Sequence, residues 1–313
     1  MLVFNADFQT PTDFSSLFGR QAPLVLEIGF GDGRYLEHLQ QAHPEWNILG
    51  AEVSLGSVWR AFRRMKRCGA EHVRLYKGSG RFIVRDVIPE GGLDRVYVNF
   101  PDPWPRKKHL SNRLLQVPFF QILSSRLKPG GSLHLTTDHP EYFAFSVAQG
   151  KASGCFVVEE GDPPPATLRT KYAMKWLEQD KPIYHARFTL SSVADSPEPR
   201  NTIIPMQHAI LDGTLTEVGT FEKQVRAFEG GHAIVLEAYR DLSGDGLLFK
   251  AVSEEPDLRQ ELIIQAWPHE QGGVLVSLQP FGNPMTTKGV RESVMAVADW
   301  LVSQGLTMQK AWI

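Results

Sequence analysis

The sequence has little of what staples or anchors a chain. Only two cysteines occur in 313 residues, Cys68 and Cys155, well apart and without CxxC or Cys/His clustering. That pattern excludes a disulfide scaffold and a structural zinc site and suits a reducing compartment, so a cytoplasmic protein is expected. None of the ten histidines falls at a metal-ligand spacing such as HExxH, and no metal is expected. No apolar run approaches the roughly 20 residues that cross a bilayer, so no membrane partner is expected. The opening residues, MLVFNADFQTPTDF, carry acids and no basic stretch, unlike a secretory signal. Internal repeats and low-complexity tracts are absent, and neither sign of charge dominates, the formal net charge being −2.

What is present is a soluble, globular composition, with 42% hydrophobic and 22% charged residues. The length suits two domains of ordinary size. Charge is uneven along the chain. Residues 1–190 hold 24 Lys+Arg against 19 Asp+Glu, and residues 191–313 hold 9 against 16. A mildly basic first half fits a polyanion partner, although a solvated surface gives the same count.

From Pro23 onward, short apolar runs alternate with amphipathic stretches. Strands are expected over 24–29, 46–53, 72–78, 93–100, 131–138, 155–160 and 182–190. Helices are expected over 33–43, 57–69, 79–88, 114–127, 140–152 and through TKYAMKWLEQ (170–179), with KPGG (128–131) as a stop signal. This alternation predicts an α/β fold, a doubly wound, Rossmann-like parallel sheet, over residues 1–190. Residues 191–201, SSVADSPEPRN, read as a linker. Residues 202–313 hold β-rich runs and one helix (290–305) and predict a second, smaller α+β domain. Its residues Val294, Val297, Trp300 and Leu301 are expected in a core.

The first strand runs into Glu27-Ile-Gly29-Phe-Gly31-Asp-Gly33. A dinucleotide fingerprint, G-x-G-x-x-G, would need glycine at position 34, where Arg34 stands. Gly29, Gly31 and Gly33 instead form G-x-G-x-G, the spacing found where S-adenosyl-L-methionine lies across the turn. Glu27 is placed to meet that cofactor's cationic α-amino group. Glu52 ends the second strand, 19 residues past Gly33, where an acid accepts ribose hydroxyls. Strand context, glycine spacing and Glu52 together favour a nucleoside cofactor and a methyltransferase; a nicotinamide oxidoreductase is disfavoured by Arg34.

The fourth strand ends in Asn99-Phe-Pro101-Asp102-Pro103-Trp104-Pro105, followed by Arg106-Lys107-Lys108-His109. This is the carboxyl edge where open α/β sheets put their chemistry. Three prolines stiffen the loop and remove amide donors. One carboxylate beside an aromatic ring suits a planar, hydrogen-bonding substrate, and the cationic run suits phosphates. An Asn-Pro-Pro-aromatic loop would orient an exocyclic amine, whereas a carboxylate after Asn99 leans towards a ring nitrogen. Trp104 either stacks on a base or packs its own loop. The helix bearing Arg60, Arg63, Arg64, Lys66 and Arg67 either tracks phosphates or is a solvated face.

LEIGFGDG, NFPDPWPRKKH, TTD at 136–138 and TKY at 170–172 resemble, in order and spacing, the bacterial tRNA (guanine-N7-)-methyltransferases. The resemblance covers roughly residues 20–190. It implies a class I S-adenosylmethionine-dependent fold and methyl transfer to N7 of guanine 46 in the tRNA variable loop. It implies cofactor binding by Glu27, Glu52, Ser79 and Asn99 with the three glycines, and Asp102 as catalytic and close to the cofactor. Arg106 takes the place of a substrate-contacting lysine, and Lys107, His109, Asp138, Thr170, Lys171 and Tyr172 fall on the substrate side. Three departures stand out: Ser79 where the family has Asp or Asn, Ala173 where it has Glu, and Leu110-Ser111-Asn112-Arg113 where it continues basic. Other readings are a methyltransferase for another RNA base and a catalytically weak RNA-binding module. A monomer or homodimer is expected, with tRNA as partner.

Overall fold

The computed structural model describes residues 1–169, 181–195, 201–205, 208–242 and 244–311. They fall into two compact units, Met1–Val3 with Pro11–Pro199, and Phe4–Thr10 with Arg200–Ile313. The short segment Phe4–Thr10, read from the sequence as part of residues 1–190, thus groups with the second unit. There the Ala6 amide donates to the Asn283 carbonyl (3.0 Å) and Asn5 Nδ2 donates to Gln260 Oε1 (3.0 Å).

The first unit is built on eight strands, β1 (Leu2–Val3), β2 (Leu24–Ile28), β3 (Asn47–Glu52), β4 (Val73–Lys77), β5 (Leu93–Asn99), β6 (Leu127–Thr137), β7 (Phe156–Gly161) and β8 (Tyr184–Leu190). Their order across the sheet is β1-β4-β3-β2-β5-β6-β8-β7. Leu24, Val25 and Leu26 of β2 are all buried, the near-continuous apolar run of a strand covered on both faces. The flanking helices are α1 (Phe14–Phe18), α2 (Arg34–Ala42), α3 (Leu55–Arg67), α4 (Gly80–Phe82), α5 (Val117–Arg126) and α6 (Pro140–Ala152). Each of the two after the central strands buries one stripe at helical spacing, Tyr35, Leu36 and Leu39 on α2, and Val58, Ala61 and Met65 on α3.

Strands β1 to β6 pair in parallel, as expected. The last two depart from an all-parallel sheet. β8 inserts antiparallel between β6 and β7, with Ser132 opposite Thr189 and Thr137 opposite Tyr184. The helix expected over 79–88 is three α-helical residues followed by a π-helical turn, Ile83–Val87. Its carbonyls at Val84 and Arg85 accept from the buried Arg126 guanidinium (3.2 and 3.0 Å). Helix α5 begins at Val117 rather than 114, with Pro118 in its first turn, where a missing amide hydrogen is harmless. Because β2 pairs with both β3 and β5, the chain reverses its direction of winding there. The carboxyl ends of the parallel strands meet around that switch point, where open α/β sheets bind ligands.

The second unit is an antiparallel sheet with one long helix. Its strands are β9 (His208–Asp212), β10 (Gln224–Phe228), β11 (Gly231–Arg240), β12 (Leu247–Glu255), β13 (Leu258–Pro268), β14 (Val274–Leu278) and β15 (Thr307–Ala311), in the order β10-β11-β12-β13-β14-β9-β15. Helix α7 (Lys288–Ser303) buries Val290, Val294, Val297 and Leu301 against it. Trp300 meets Phe221 and Phe249 edge-on, at ring centroid separations of 5.0 and 5.7 Å. Among the described residues no helix is long and apolar enough to cross a membrane.

Phe249→Ala removes a fully buried ring of that aromatic group and is expected to lower stability by about 3–5 kcal/mol. Val302→Ala, on the outer side of α7, should stay within about 0.5 kcal/mol of wild type. Urea titrations compare the two, and equal shifts would contradict this packing.

Candidate active site

The turn after β2 depends on glycine geometry. Gly29, Gly31 and Gly33 have φ of 78°, 55° and 79°, the left-handed region that side chains disfavour. At Gly33 a Cβ would also lie 2.8 Å from the Ala61 Cβ, so glycine lets the start of α2 press against α3. Glu52, at the end of β3, holds this turn. Its Oε2 accepts from the Gly31 amide (3.0 Å) and its Oε1 from the Ser54 amide (2.9 Å). Each oxygen keeps a second lone pair, so the ribose contact expected of Glu52 is compatible with its structural bonds. Asp32 and Glu37 are drawn to Arg64, at 3.7 and 2.7 Å. Ser79, two residues past β4, caps the next turn by accepting from the Arg81 amide (3.2 Å).

Glu27 is the anomaly. It is 2% exposed, and its Oε1 accepts a long hydrogen bond from Asn99 Nδ2 (3.3 Å). Glu27 Oε2 and Asn99 Oδ1 are buried without a partner among the described residues. Burial pushes the Glu27 carboxyl up to about 8, against the Asn99 hydrogen bond, and the negative charges of Glu52 and Asp32 add to the rise. Two orphaned acceptors on adjacent strands beside a glycine turn fit a cationic donor such as the α-ammonium of S-adenosyl-L-methionine.

The loop after β5 is strained and braced. Phe100 and Trp104 have φ of 51° and 42°, a conformation that persists in non-glycine residues only when the surroundings enforce it. At the loop's start the Phe100 amide donates to the Thr136 carbonyl (2.7 Å). Farther along, Arg113 Nε donates to the Pro103 carbonyl (2.9 Å). Arg113 is buried; its Nη2 reaches Glu141 Oε1 (2.9 Å), and its guanidinium lies 4.7 Å from the Phe145 ring centre and 5.6 Å from that of Tyr142. Arg81, just past Ser79, donates to the Arg113 carbonyl, linking the turn after β4 to the loop after β5. Between these braces Asp102 is exposed and has no hydrogen-bond partner among the described residues. The Trp104 ring is partly exposed, 5.7 Å from that of His109.

Arg106 is exposed at the start of a 3-10 turn, Lys107–Asn112, with the His109 amide donating to its carbonyl (2.8 Å). Asp138 follows β6, half-buried, at the same sheet edge. The side chain of Lys107, and Thr170, Lys171, Tyr172 and Ala173 entirely, lie outside the described residues. The edge therefore assembles Glu27, the three glycines, Glu52, Ser79, Asn99, Asp102 and Asp138. Sequence reasoning missed the bracing role of Arg113, which it noted only as a departure from a basic run. Among the described residues no group of three or more His, Cys, Asp or Glu could hold a metal ion.

A doubly wound sheet with a reversed strand beside β6, carrying a glycine turn and a braced acidic loop at its carboxyl edge, defines a class I methyltransferase. Residues 21–186 match a protein family described as "Putative methyltransferase". The chain is 45% identical over 296 residues to the tRNA (guanine-N(7)-)-methyltransferase of Thermus thermophilus, covering 95% of this chain and 94% of that one. It is 42% identical to the enzyme of that name from Deinococcus radiodurans (99% of each chain) and 32% identical to that of Thermotoga maritima (94% of each). The chain belongs to the tRNA (guanine-N(7)-)-methyltransferase family.

The Glu27 carboxyl gives a prediction with a definite sign. The folded protein keeps that proton until pH nears about 8, whereas an unperturbed glutamate, as in the unfolded chain, loses it near 4.5. Between those values the folded state binds the extra proton, so Glu27 makes stability fall as pH rises through this window, levelling off above it. Glu27→Gln should therefore be more stable than wild type at pH 8–9, with the advantage vanishing near pH 4. Urea denaturation across pH checks this; a stability difference independent of pH would refute the assignment.

Proposed function

We propose that this enzyme transfers the methyl group of S-adenosyl-L-methionine to N7 of a guanine in tRNA, G46 of the variable loop, forming 7-methylguanosine. The observation that carries the reading is an exposed carboxylate, Asp102, held on a strained and braced loop at the sheet edge that also carries buried acceptors suited to a cationic ligand. The names of the relatives support tRNA and guanine N7 as substrate and atom.

The cofactor, when bound, supplies an electrophilic methyl group. Glu27 and Asn99 hold its ammonium, Glu52 accepts from its ribose hydroxyls, the glycine turn admits it closely, and Ser79 lines the adenine side. Guanine N7 carries an in-plane lone pair, so no base has to remove a proton before attack. The protein's task is positioning and charge stabilisation. Asp102 accepts hydrogen bonds from the guanine N1–H and N2–H₂ edge and offsets the positive charge that develops on the purine as it is alkylated. Trp104 offers a ring beside the base. Arg106, Lys107 and His109 meet flanking phosphates, and Asp138, Thr170, Lys171 and Tyr172 complete the substrate side.

The test is transfer of labelled methyl from S-adenosyl-L-methionine to unmodified tRNA transcripts carrying G46 or A46. Labelling is expected only with G46, as 7-methylguanosine on nucleoside analysis. Asp102→Ala should lower kcat by about 10²-fold or more, the scale of losing one preorganised electrostatic contact. Equal labelling of G46 and A46 transcripts would move the reading to another base. Tight tRNA binding with no labelling would replace it by an RNA-binding module.

A further inference from the structure

Helix α3 leaves the cofactor edge at Ser54, two residues past Glu52, and runs for 13 residues, about 20 Å at the usual rise. It contains five cations and no acid. Arg64 is taken up inside the unit by Asp32 and Glu37. Among the described residues Arg60 reaches the Ser57 hydroxyl (2.9 Å) on its own helix and no acid. Arg63, Lys66 and Arg67 form no ion pair among the described residues. Since Val58, Ala61 and Met65 face the core, the opposite face carries Trp59, Arg63 and Arg67 one turn apart, with Arg60 and Lys66 flanking them.

Aromatic rings are interleaved with these charges. Trp59 is 46% exposed and meets Phe62 edge-on at 5.5 Å, and the Lys66 ammonium lies 5.1 Å from the Phe62 ring centre. At the end nearest Glu52, Val53 and Leu55 are also exposed. An exposed tryptophan costs hydration on a surface that has no ligand, and a purely solvated helix face ordinarily mixes both signs of charge. Cations spaced by a turn beside stacking-competent rings are complementary to a nucleic-acid strand, phosphates to the former and bases or riboses to the latter.

We infer that the outer face of α3 is a second tRNA contact, separate from the base-handling loop. Trp59 stacks on an unpaired or terminal base, and Arg63 and Arg67, with Arg60 and Lys66, follow the backbone. This rests on the tRNA reading proposed above. The surface contributes to holding the tRNA and leaves the methyl-transfer step untouched.

Steady-state methylation of tRNA is measured from about 50 to 300 mM salt for wild type, Trp59→Ala, Trp59→Phe and the double variant R63A/R67A, with Lys151→Ala as a control that removes one cation from a different helix. All four positions are exposed, and cofactor affinity is measured alongside to show that each variant folds. Trp59→Ala and R63A/R67A should each raise the KM for tRNA about tenfold, with kcat and cofactor affinity within twofold of wild type. Trp59→Phe should recover most of the loss. The dependence of log KM on log salt should flatten in the double variant by about 0.7–0.9 per lost phosphate contact. Lys151→Ala should match wild type. Variants that retain the wild-type KM and salt slope, or that lose kcat in place of KM, would overturn the inference while leaving the tRNA reading intact. A wild-type enzyme that methylates no tRNA would overturn both.

Discussion

A carboxyl group with one hydrogen bond and almost no exposure to solvent sits on the central strand of the first sheet, and the surrounding site is organised around it. Burying an acid beside Leu24, Val25 and Leu26 is unfavourable unless its oxygens find donors. Glu27 finds one, on Asn99, and the amide oxygen of Asn99 is itself left unpaired. A residue kept only for the fold would be apolar or fully satisfied at this depth. Glu52, by contrast, binds two backbone amides across the glycine turn. One acid thus shapes the turn while the other keeps its acceptor capacity for a ligand.

The loop after β5 follows a complementary logic. A carboxylate that recognises a base edge has to be exposed, and an exposed side chain on a mobile loop is poorly placed. Here rigidity comes from underneath. The prolines at 101, 103 and 105 restrict φ, two residues adopt left-handed backbone, and Arg113 fixes the loop through the Pro103 carbonyl. Arg113 can do this because Glu141 and two aromatic rings hold its guanidinium in place. Through Arg81 the same residue ties this loop to the turn that Ser79 caps, so displacement of one is resisted by the other.

Much of this was legible in the sequence, for identifiable reasons. Alternation of apolar runs revealed the strands, and three glycines two apart announced a turn of positive φ. Strand direction was not legible at the end of the sheet, since an apolar run reads identically in either direction, and β8 turned out antiparallel. The π-helical turn at Ile83–Val87 was hidden because its residues also suit an α-helix; its carbonyls are met by Arg126 from a distant segment. Arg113 was hidden for the same kind of reason: an arginine in a polar loop reads alike whether solvated or buried. In α3 the five cations looked equivalent, although the fold uses Arg64 internally and leaves Arg63, Lys66 and Arg67 outside. Glu27 was visible as an acid at the turn, but its one partner, Asn99, belongs to β5, and the unpaired oxygens of the two could only be seen in three dimensions.

The two electrostatic surfaces of the first unit answer to different physics. Acids lie inside the sheet's carboxyl edge, where low dielectric strengthens their attraction for a cation and salt scarcely screens it. Cations lie outside, on α3 and after the proline loop, where attraction for a polyanion is long-ranged but falls steeply with ionic strength. Burial therefore separates the two functions more effectively than distance would. On the reading proposed above, a small cationic ligand is held by groups insensitive to salt, and a large anionic one is gathered by groups that let it go readily. On the same reading Asp102, exposed on the loop after β5, supplies the anion that the charge developing on an alkylated base would need.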